Sequence, residues 1–321
     1  MKSKEHDRNK VVFVIALTAN VAIAVSKLAA ALITGSSAML AESVHSFADT
    51  GNEVILLIGH RLGSRPPDRE HPFGYGMERY FWPFLAAIAL FIIGGSFSVF
   101  EGVRRMLTTY ELDHIKVNYA VLAVAAVFDS VSFSFAYRRL RNPLRTAGLW
   151  KSIRATKDPA LFNVLFEDSA ALLGLALAFL GLLIYQLSGM IIFDALASLL
   201  IGLLLGGVAL LLAYESRSLL IGESAAPEIR RQIVEATQRV PEVRKIIEVL
   251  TMHMDPNDIL VNMSINLKDE LTTDEIESVI DRLKKEIRSE VPQAKRIFVE
   301  CQTSRRAKSM LKAEDGDDQS G

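Results

Sequence analysis

Long apolar runs separated by short charged loops fill the first two thirds of the chain, and the pattern changes after Tyr214. Six runs reach the roughly twenty residues that a helix needs to cross a bilayer: Val11–Ile33, Met39–Arg61, Phe81–Val103, Val117–Ala136, Ala160–Leu183 and Ile192–Tyr214. The second and fifth each carry several ionisable side chains. Such groups are costly in hydrocarbon, so their presence needs a functional reason.

Beyond Tyr214 the period is that of an ordinary water-exposed domain. Ile229, Ile233, Val234 and Thr237 recur at helical spacing, and Ile246–Met254 reads as a strand closed by the turn Asp255-Pro256-Asn257-Asp258. Ile259, Val261, Met263, Ile265 and Leu267 then alternate with more polar neighbours, as in a half-buried strand. Thr272 and Glu275 form a capping box opening a helix whose Ile276, Val279, Ile280, Leu283 and Ile287 make one stripe. Arg296–Cys301 predicts a last strand. The expected fold is therefore a six-helix membrane domain followed by a small α-β-β-α-β (α+β) domain. Its boundaries are a cytoplasmic N-terminus at 1–10, the transmembrane domain at 11–222, the cytoplasmic domain at 223–303, and a polar, disordered tail at 304–321.

Composition narrows the function. The 321 residues are 50% hydrophobic, with a mean hydropathy of +0.26, as a chain with one lipid-facing part requires. The single cysteine, Cys301, excludes an internal disulfide framework and a Cys-rich zinc cluster. A net charge of −1 excludes a globally basic nucleic-acid binder. The opening MKSKEHDRNK leads into a run too long for a signal peptide, which predicts a retained first span. Lys2, Lys4, Arg8 and Lys10 precede span one, Arg61, Arg65, Arg69 and Arg79 flank the loop after span two, and Arg138, Arg139, Arg141, Arg145, Lys151, Arg154 and Lys157 follow span four. Only Arg104, Arg105 and Lys116 stand on the opposite side, so the positive-inside rule places both termini in the cytoplasm. A multi-pass protein of a bacterial plasma membrane is expected.

The chemistry is concentrated in spans two and five. His45 and Asp49 are one helical turn apart on one face, about 6 Å along the axis, and can grip a divalent ion from a single helix. Asn163 and Glu167 repeat that spacing in span five. Facing each other, the two half-sites would give one nitrogen and three oxygen donors, with two carboxylates to balance a 2+ charge. Interhelical hydrogen-bond clasping is the competing account, strongest for the amide of Asn163. Ser43, Ser46, Asn52 and Glu53 read as packing or pore-wetting groups, Asn20 and Lys27 of span one are ambiguous, and Asp194 near the end of span six reads as solvated. Asp68 and His71, in the loop after span two, form a candidate accessory metal site against the simpler reading of a solvated turn. His253 alone in the C-terminal domain is too few imidazoles for a buried metal site.

Taken in order, SSAMLAESVHSFADTGNEVILL in span two, HPFGYGMERY in the following loop and DALASLLIGLLL opening span six, on this layout, resemble the cation diffusion facilitator family over about residues 10–303. The resemblance implies a homodimer, joined through its transmembrane and cytoplasmic domains, that exports a divalent metal in exchange for protons and ends in a metallochaperone-like domain. The family's transport site maps onto His45, Asp49, Asn163 and Glu167. Many zinc-carrying members have His and Asp in span five, and the Asn-Glu pair looks like the branch of mitochondrial-type zinc transporters. The family's loop and cytoplasmic metal sites use histidines where this chain has Tyr75, Asn262 and Ser264, which weakens the case for regulation by metal bound to that domain. Zinc is the preferred cargo on intrinsic affinity, with manganese, iron or cobalt as alternatives because an amide oxygen hardens the site. His45 and Glu167 are the expected proton carriers, giving metal ejection on protonation and alternating access between the two membrane faces. No resident cofactor, nucleic-acid partner or enzymatic activity is expected, since no HExxH or similar general-base motif accompanies the ligands. A transport-dead membrane sensor or scaffold is the reading from a second class.

Overall fold

The computed structural model describes residues 2–108, 110–147 and 159–302. The expected tail from Ser304 and the loop residues Lys151, Arg154 and Lys157 lie outside the described residues. The chain forms two compact units, a helical one and one that holds the sheet together with residues 67–77.

The helical unit contains α1 (Lys2–Thr34), α2 (Ser37–Gly63), α3 (Glu78–Ala89), a π-helical segment (Leu90–Ser96), α4 (Phe97–Met106), α5 (Ile115–Ala147), α6 (Pro159–Ser188) and α7 (Ile192–Leu220). Among the described residues, five helical stretches are long and apolar enough to cross a membrane: Leu17–Thr34, Glu78–Met106, Ile115–Ser134, Asn163–Ser188 and Ile192–Leu220. The remaining expected span is α2, whose 27 residues reach about 40 Å. Its length suffices, but Glu42, Asp49, Glu53 and Arg61 interrupt its apolar run. The turn from α1 into α2 uses Gly35 at φ +72°, in the left-handed region that glycine enters without penalty. Ser36 then caps α2 by accepting from the Met39 amide at 3.2 Å.

Where the π segment and α4 cross α7, the backbones touch. A Cβ on Gly202 would lie 2.5 Å from the Val99 nitrogen, and one on Gly102 would lie 2.6 Å from that of Leu199. Small residues let membrane helices approach this closely, where packing and not hydrophobicity drives association. Asp194 departs from its expected solvation. It is fully buried at the start of α7, accepting from Ser36 Oγ (2.5 Å), Ser37 N (2.7 Å), Ser37 Oγ (2.8 Å) and Tyr110 Oη (3.0 Å). The Ser37 amide, one of the N–H groups at the start of α2 that have no partner within their own helix, replaces part of the water this carboxylate has lost, so Asp194 fastens α7 to α2.

The second unit follows the predicted α-β-β-α-β order: α8 (Pro227–Gln238), β1 (Val243–Asp255), β2 (Asp258–Leu267), α9 (Thr273–Glu290) and β3 (Arg296–Cys301). The sheet order is β1-β2-β3, with β1 and β2 antiparallel, so that Val249 pairs with Met263, and β2 and β3 parallel, so that Ile265 pairs with Cys301. Ile233, Ile259, Val261, Met263, Ile265, Leu283 and Ile287 form one buried core between sheet and helices. Thr272 N donates to the Glu275 carboxylate at 2.7 Å, closing the capping box. In the same unit Arg296 donates to the Phe73 carbonyl at 2.8 Å and lies 5.5 Å from its ring centroid.

Candidate metal centre

His45 and Asp49 project from one face of α2, with His45 Nδ1 and Asp49 Oδ1 3.3 Å apart. His45 is fully buried, yet neither ring nitrogen has a hydrogen-bond partner among the described residues, and the same is true of Asp49 Oδ1. Asn163, on α6, is 1% exposed and leaves both its amide nitrogen and its oxygen unpartnered. Buried polar atoms are almost always satisfied, and orphaning them costs about 1–3 kcal/mol each. A concentration of orphans on two packed helices is therefore a feature that folding alone does not explain.

Glu167 lies one turn from Asn163 on α6 and is held by Asn52 of α2, whose Nδ2 donates to its Oε1. Asn52 follows Asp49 by one turn, so this bond sets the α6 carboxylate beside the α2 pair. Among the described residues no three His, Cys, Asp or Glu side chains converge on a common point. The donors stand as two half-sites on adjacent helices, with one carboxylate engaged elsewhere. Asp168, next in sequence, turns away toward α5 and accepts from Ser132 Oγ at 3.0 Å. Glu53 accepts from Asn20 of α1 at 2.7 Å.

The sequence alone suggests a packing or pore-wetting role for Asn52, whereas its bond to Glu167 gives it a specific partner. Spacing offered a signal for this, since Asn52 shares the His45–Asp49 face. A second pairing was not legible: Lys27 Nζ of α1 lies 3.1 Å from Glu42 Oε2 and 2.9 Å from Ser46 Oγ, with both charged residues buried. The available hint was charge balance, a lone lysine in span one against an extra glutamate in span two.

In the loop after α2, Asp68 and His71 are 3.8 Å apart and both half-exposed. Asp68 Oδ1 accepts from the amides of Glu70 (3.0 Å) and His71 (2.7 Å), and Oδ2 accepts from Tyr75 Oη (2.7 Å). The Tyr75 bond, followed by the His71 amide, holds the Asp68 carboxyl below the ordinary aspartate range. His71 stacks against Tyr75 with ring centroids 4.2 Å apart. The loop thus satisfies its own carboxylate. His253 is buried in β1, where its amide donates to the Glu223 carbonyl at 3.2 Å.

A bundle of apolar helices that carries polar half-sites on two adjacent helices, in a chain that also holds a separate α+β domain, is the build of a membrane cation carrier. Residues 13–221 match the cation efflux transmembrane domain, and residues 225–302 match the cation efflux protein cytoplasmic domain. The chain belongs to the cation efflux family. It is 30% identical over 249 residues to the mitochondrial proton-coupled zinc antiporter SLC30A9 of Xenopus laevis, covering 77% of this chain and 44% of that protein. The human counterpart is 31% identical over 225 residues, covering 70% and 40%. Magnetosome protein MamM of Magnetospirillum gryphiswaldense is 26% identical over 269 residues, covering 83% and 80%. The chain thus spans less than half the length of the zinc antiporters it matches. A solved nickel form of the MamM CTD aligns with 24% of this chain and 98% of its own, at 23% identity and a TM-score of 0.23.

Proposed function

We propose that this protein is a proton-coupled antiporter that moves a divalent cation, zinc first, out of the cytoplasm by alternating access. The carrying observation is the set of orphaned donors on α2 and α6: both His45 nitrogens, Asp49 Oδ1 and the Asn163 amide, with Glu167 one turn away. One imidazole, two carboxylates and one amide oxygen suit a tetrahedral 2+ ion and balance its charge. The similarity to proton-coupled zinc antiporters supports the same cargo.

In this reading the ion enters from the cytoplasmic side and is gripped by His45 and Asp49. Glu167 leaves Asn52 and, with Asn163, completes the cage. Protons arriving from the other side compete for His45 and Glu167, weaken the cage and release the ion. Two copies of the chain work as a dimer joined through their membrane and cytoplasmic domains, with both termini in the cytoplasm of a bacterial plasma membrane. The loop pair Asp68 and His71 is the accessory position for a transient ion.

A second cargo has its own support. Asn163 supplies a hard oxygen donor where a nitrogen would favour zinc, so manganese or iron is the competing ion. Purified protein in proteoliposomes tests both: saturable zinc uptake with counterflow of protons is expected, and manganese in excess should compete weakly. Absence of saturable flux of any of these ions would reject the transport reading and leave a sensor or scaffold.

A further inference from the structure

Lys27 and Glu42 form a buried ion pair that the metal centre does not use. Lys27 Nζ sits 3.1 Å from Glu42 Oε2, and the two side chains are 1% and 0% exposed. Nζ also donates to Ser46 Oγ at 2.9 Å, next in sequence to His45. Two charges taken out of water lose several kcal/mol of hydration each, and their attraction does little more than offset that loss. A pair so placed contributes little stability, and its retention in the bundle interior needs another reason.

Its position supplies one. Glu42 precedes His45 by less than one turn and lies toward the α2 end that joins α1 at residues 34–37. On α6, Gly174 lies about 10 Å beyond Glu167 toward the same end of the bundle. There α6 offers no side chain of its own and the Glu42 carboxylate packs on its backbone: a Cβ on Gly174 would stand 2.2 Å from Glu42 Oε1. That oxygen has no hydrogen-bond partner, so the carboxylate is held by Lys27 on one side and pressed on the α6 backbone on the other. The three groups bring α1, α2 and α6 together directly above the half-sites.

We propose that the Lys27–Glu42 pair, seated on Gly174, closes the path between the metal centre and the α1–α2 end of the bundle. It has to part before an ion can leave that way. The inference rests on the transport reading for the direction of travel, but the closure itself is tested without metal. Because attraction and desolvation nearly cancel, the pair fixes the helices in register while the bundle is dry and parts at modest cost only when water enters to hydrate both charges, as it does in an opening gate.

The test is side-specific labelling. In a Cys301→Ser background, Ala171→Cys places a thiol on α6 between Glu167 and Gly174, at helical spacing from both. The protein is reconstituted into sealed proteoliposomes, and a membrane-impermeant maleimide is applied from the side of the α1–α2 turn. The thiol should be protected with the pair intact and labelled at least tenfold faster in Lys27→Met/Glu42→Gln. The exchanged pair Lys27→Glu/Glu42→Lys should restore protection. Labelling within twofold of the parent, in a double variant that elutes with the parent's oligomeric size, overturns the proposal. If the double variant does not fold, Gly174→Ala decides instead, since one methyl group wedges Glu42 off α6. Faster labelling there supports the closure and an unchanged rate overturns it. Failure of the transport reading shows separately, as a parent protein that labels as expected but carries no zinc.

Discussion

Asn52 Nδ2 donates to Glu167 Oε1 across the interface of α2 and α6, one turn from Asp49. The amide therefore competes with any cation for that carboxylate. Hydrogen bonds to a charged group contribute about 1.5–3 kcal/mol, and about 1.4 kcal/mol corresponds to a factor of ten. Asn52→Ala should free Glu167 and raise equilibrium zinc affinity about tenfold, while slowing release and turnover. Titration calorimetry on the purified protein reads the affinity. A tenfold loss instead would mean that Asn52 holds Glu167 in the metal-bearing position.

Asp49→Ala should abolish saturable zinc flux while leaving a folded dimer, because it removes one of two carboxylates from the proposed cage. His45→Ala should be nearly as severe, since it deletes the proposed nitrogen donor and proton carrier. Size-exclusion chromatography checks folding, and flux into proteoliposomes checks transport. Zinc uptake at the parent rate by well-folded Asp49→Ala protein would reject the assignment.

Residues 223–303 expressed alone should fold and dimerise without bound zinc, on the core around Ile265 and Leu283. Ile265→Ala should destabilise the fragment by about 2–5 kcal/mol in urea unfolding. Acid should weaken it too. Glu275 is held below the ordinary glutamate range by the Thr272 amide and then its hydroxyl, and Glu242 chiefly by its hydrogen bond to Arg282. Carboxylates with lowered folded-state pKa contribute stability at neutral pH and lose it as pH falls below that range. The urea midpoint should therefore hold from neutral pH down to about pH 4.5 and drop as the pH falls further. Zinc retained stoichiometrically through chelation would contradict the reading of His253 as a structural residue.

Gly202→Ala should loosen the helix pair α4 and α7, because the added methyl group would meet the Val99 backbone nitrogen at 2.5 Å. Overpacking of this kind costs about 1–3 kcal/mol. A lower melting temperature in detergent, with zinc affinity unchanged, is the expected result. An unaltered melting temperature would show that the helices can separate there without cost.

The elements were legible where period and punctuation agreed. The alternation of Ile259 to Leu267 and the Thr272–Glu275 box gave β2 and the start of α9, and the apolar runs located the membrane helices. Individual polar partners were less legible, because a helical sequence tells which residues share a face but not which neighbour that face meets. Asp194 looked solvated from its place near a helix end. Only the fold brings Ser36, Ser37 and Tyr110 around it. The Lys27–Glu42 pair was hidden for the same reason, since α1 and α2 are antiparallel and their pairing depends on where the turn at Gly35 falls. The polar atoms of His45 and Asn163 belong to a different category: each residue was a candidate by spacing, but only the fold shows that they are buried without a hydrogen-bond partner among the described residues.

Asn163 should decide which ion is carried and how many protons return. An amide does not titrate near neutral pH, so the site with one histidine should exchange fewer protons per metal than its Asn163→His variant, in which a second imidazole alternates between metal and proton. The same change gives zinc a second nitrogen ligand and should raise the zinc-to-manganese flux ratio, because imidazole suits zinc and oxygen donors suit manganese. If Asn163 served only to clasp helices, it would have a hydrogen-bond partner, yet both of its amide atoms are unpartnered at 1% exposure. Zinc and manganese flux measured together with internal pH, in vesicles carrying either protein, separates the two roles. Equal ion ratio and equal proton count at equal folding would remove Asn163 from the cage and leave His45, Asp49 and Glu167, with water as the remaining ligand.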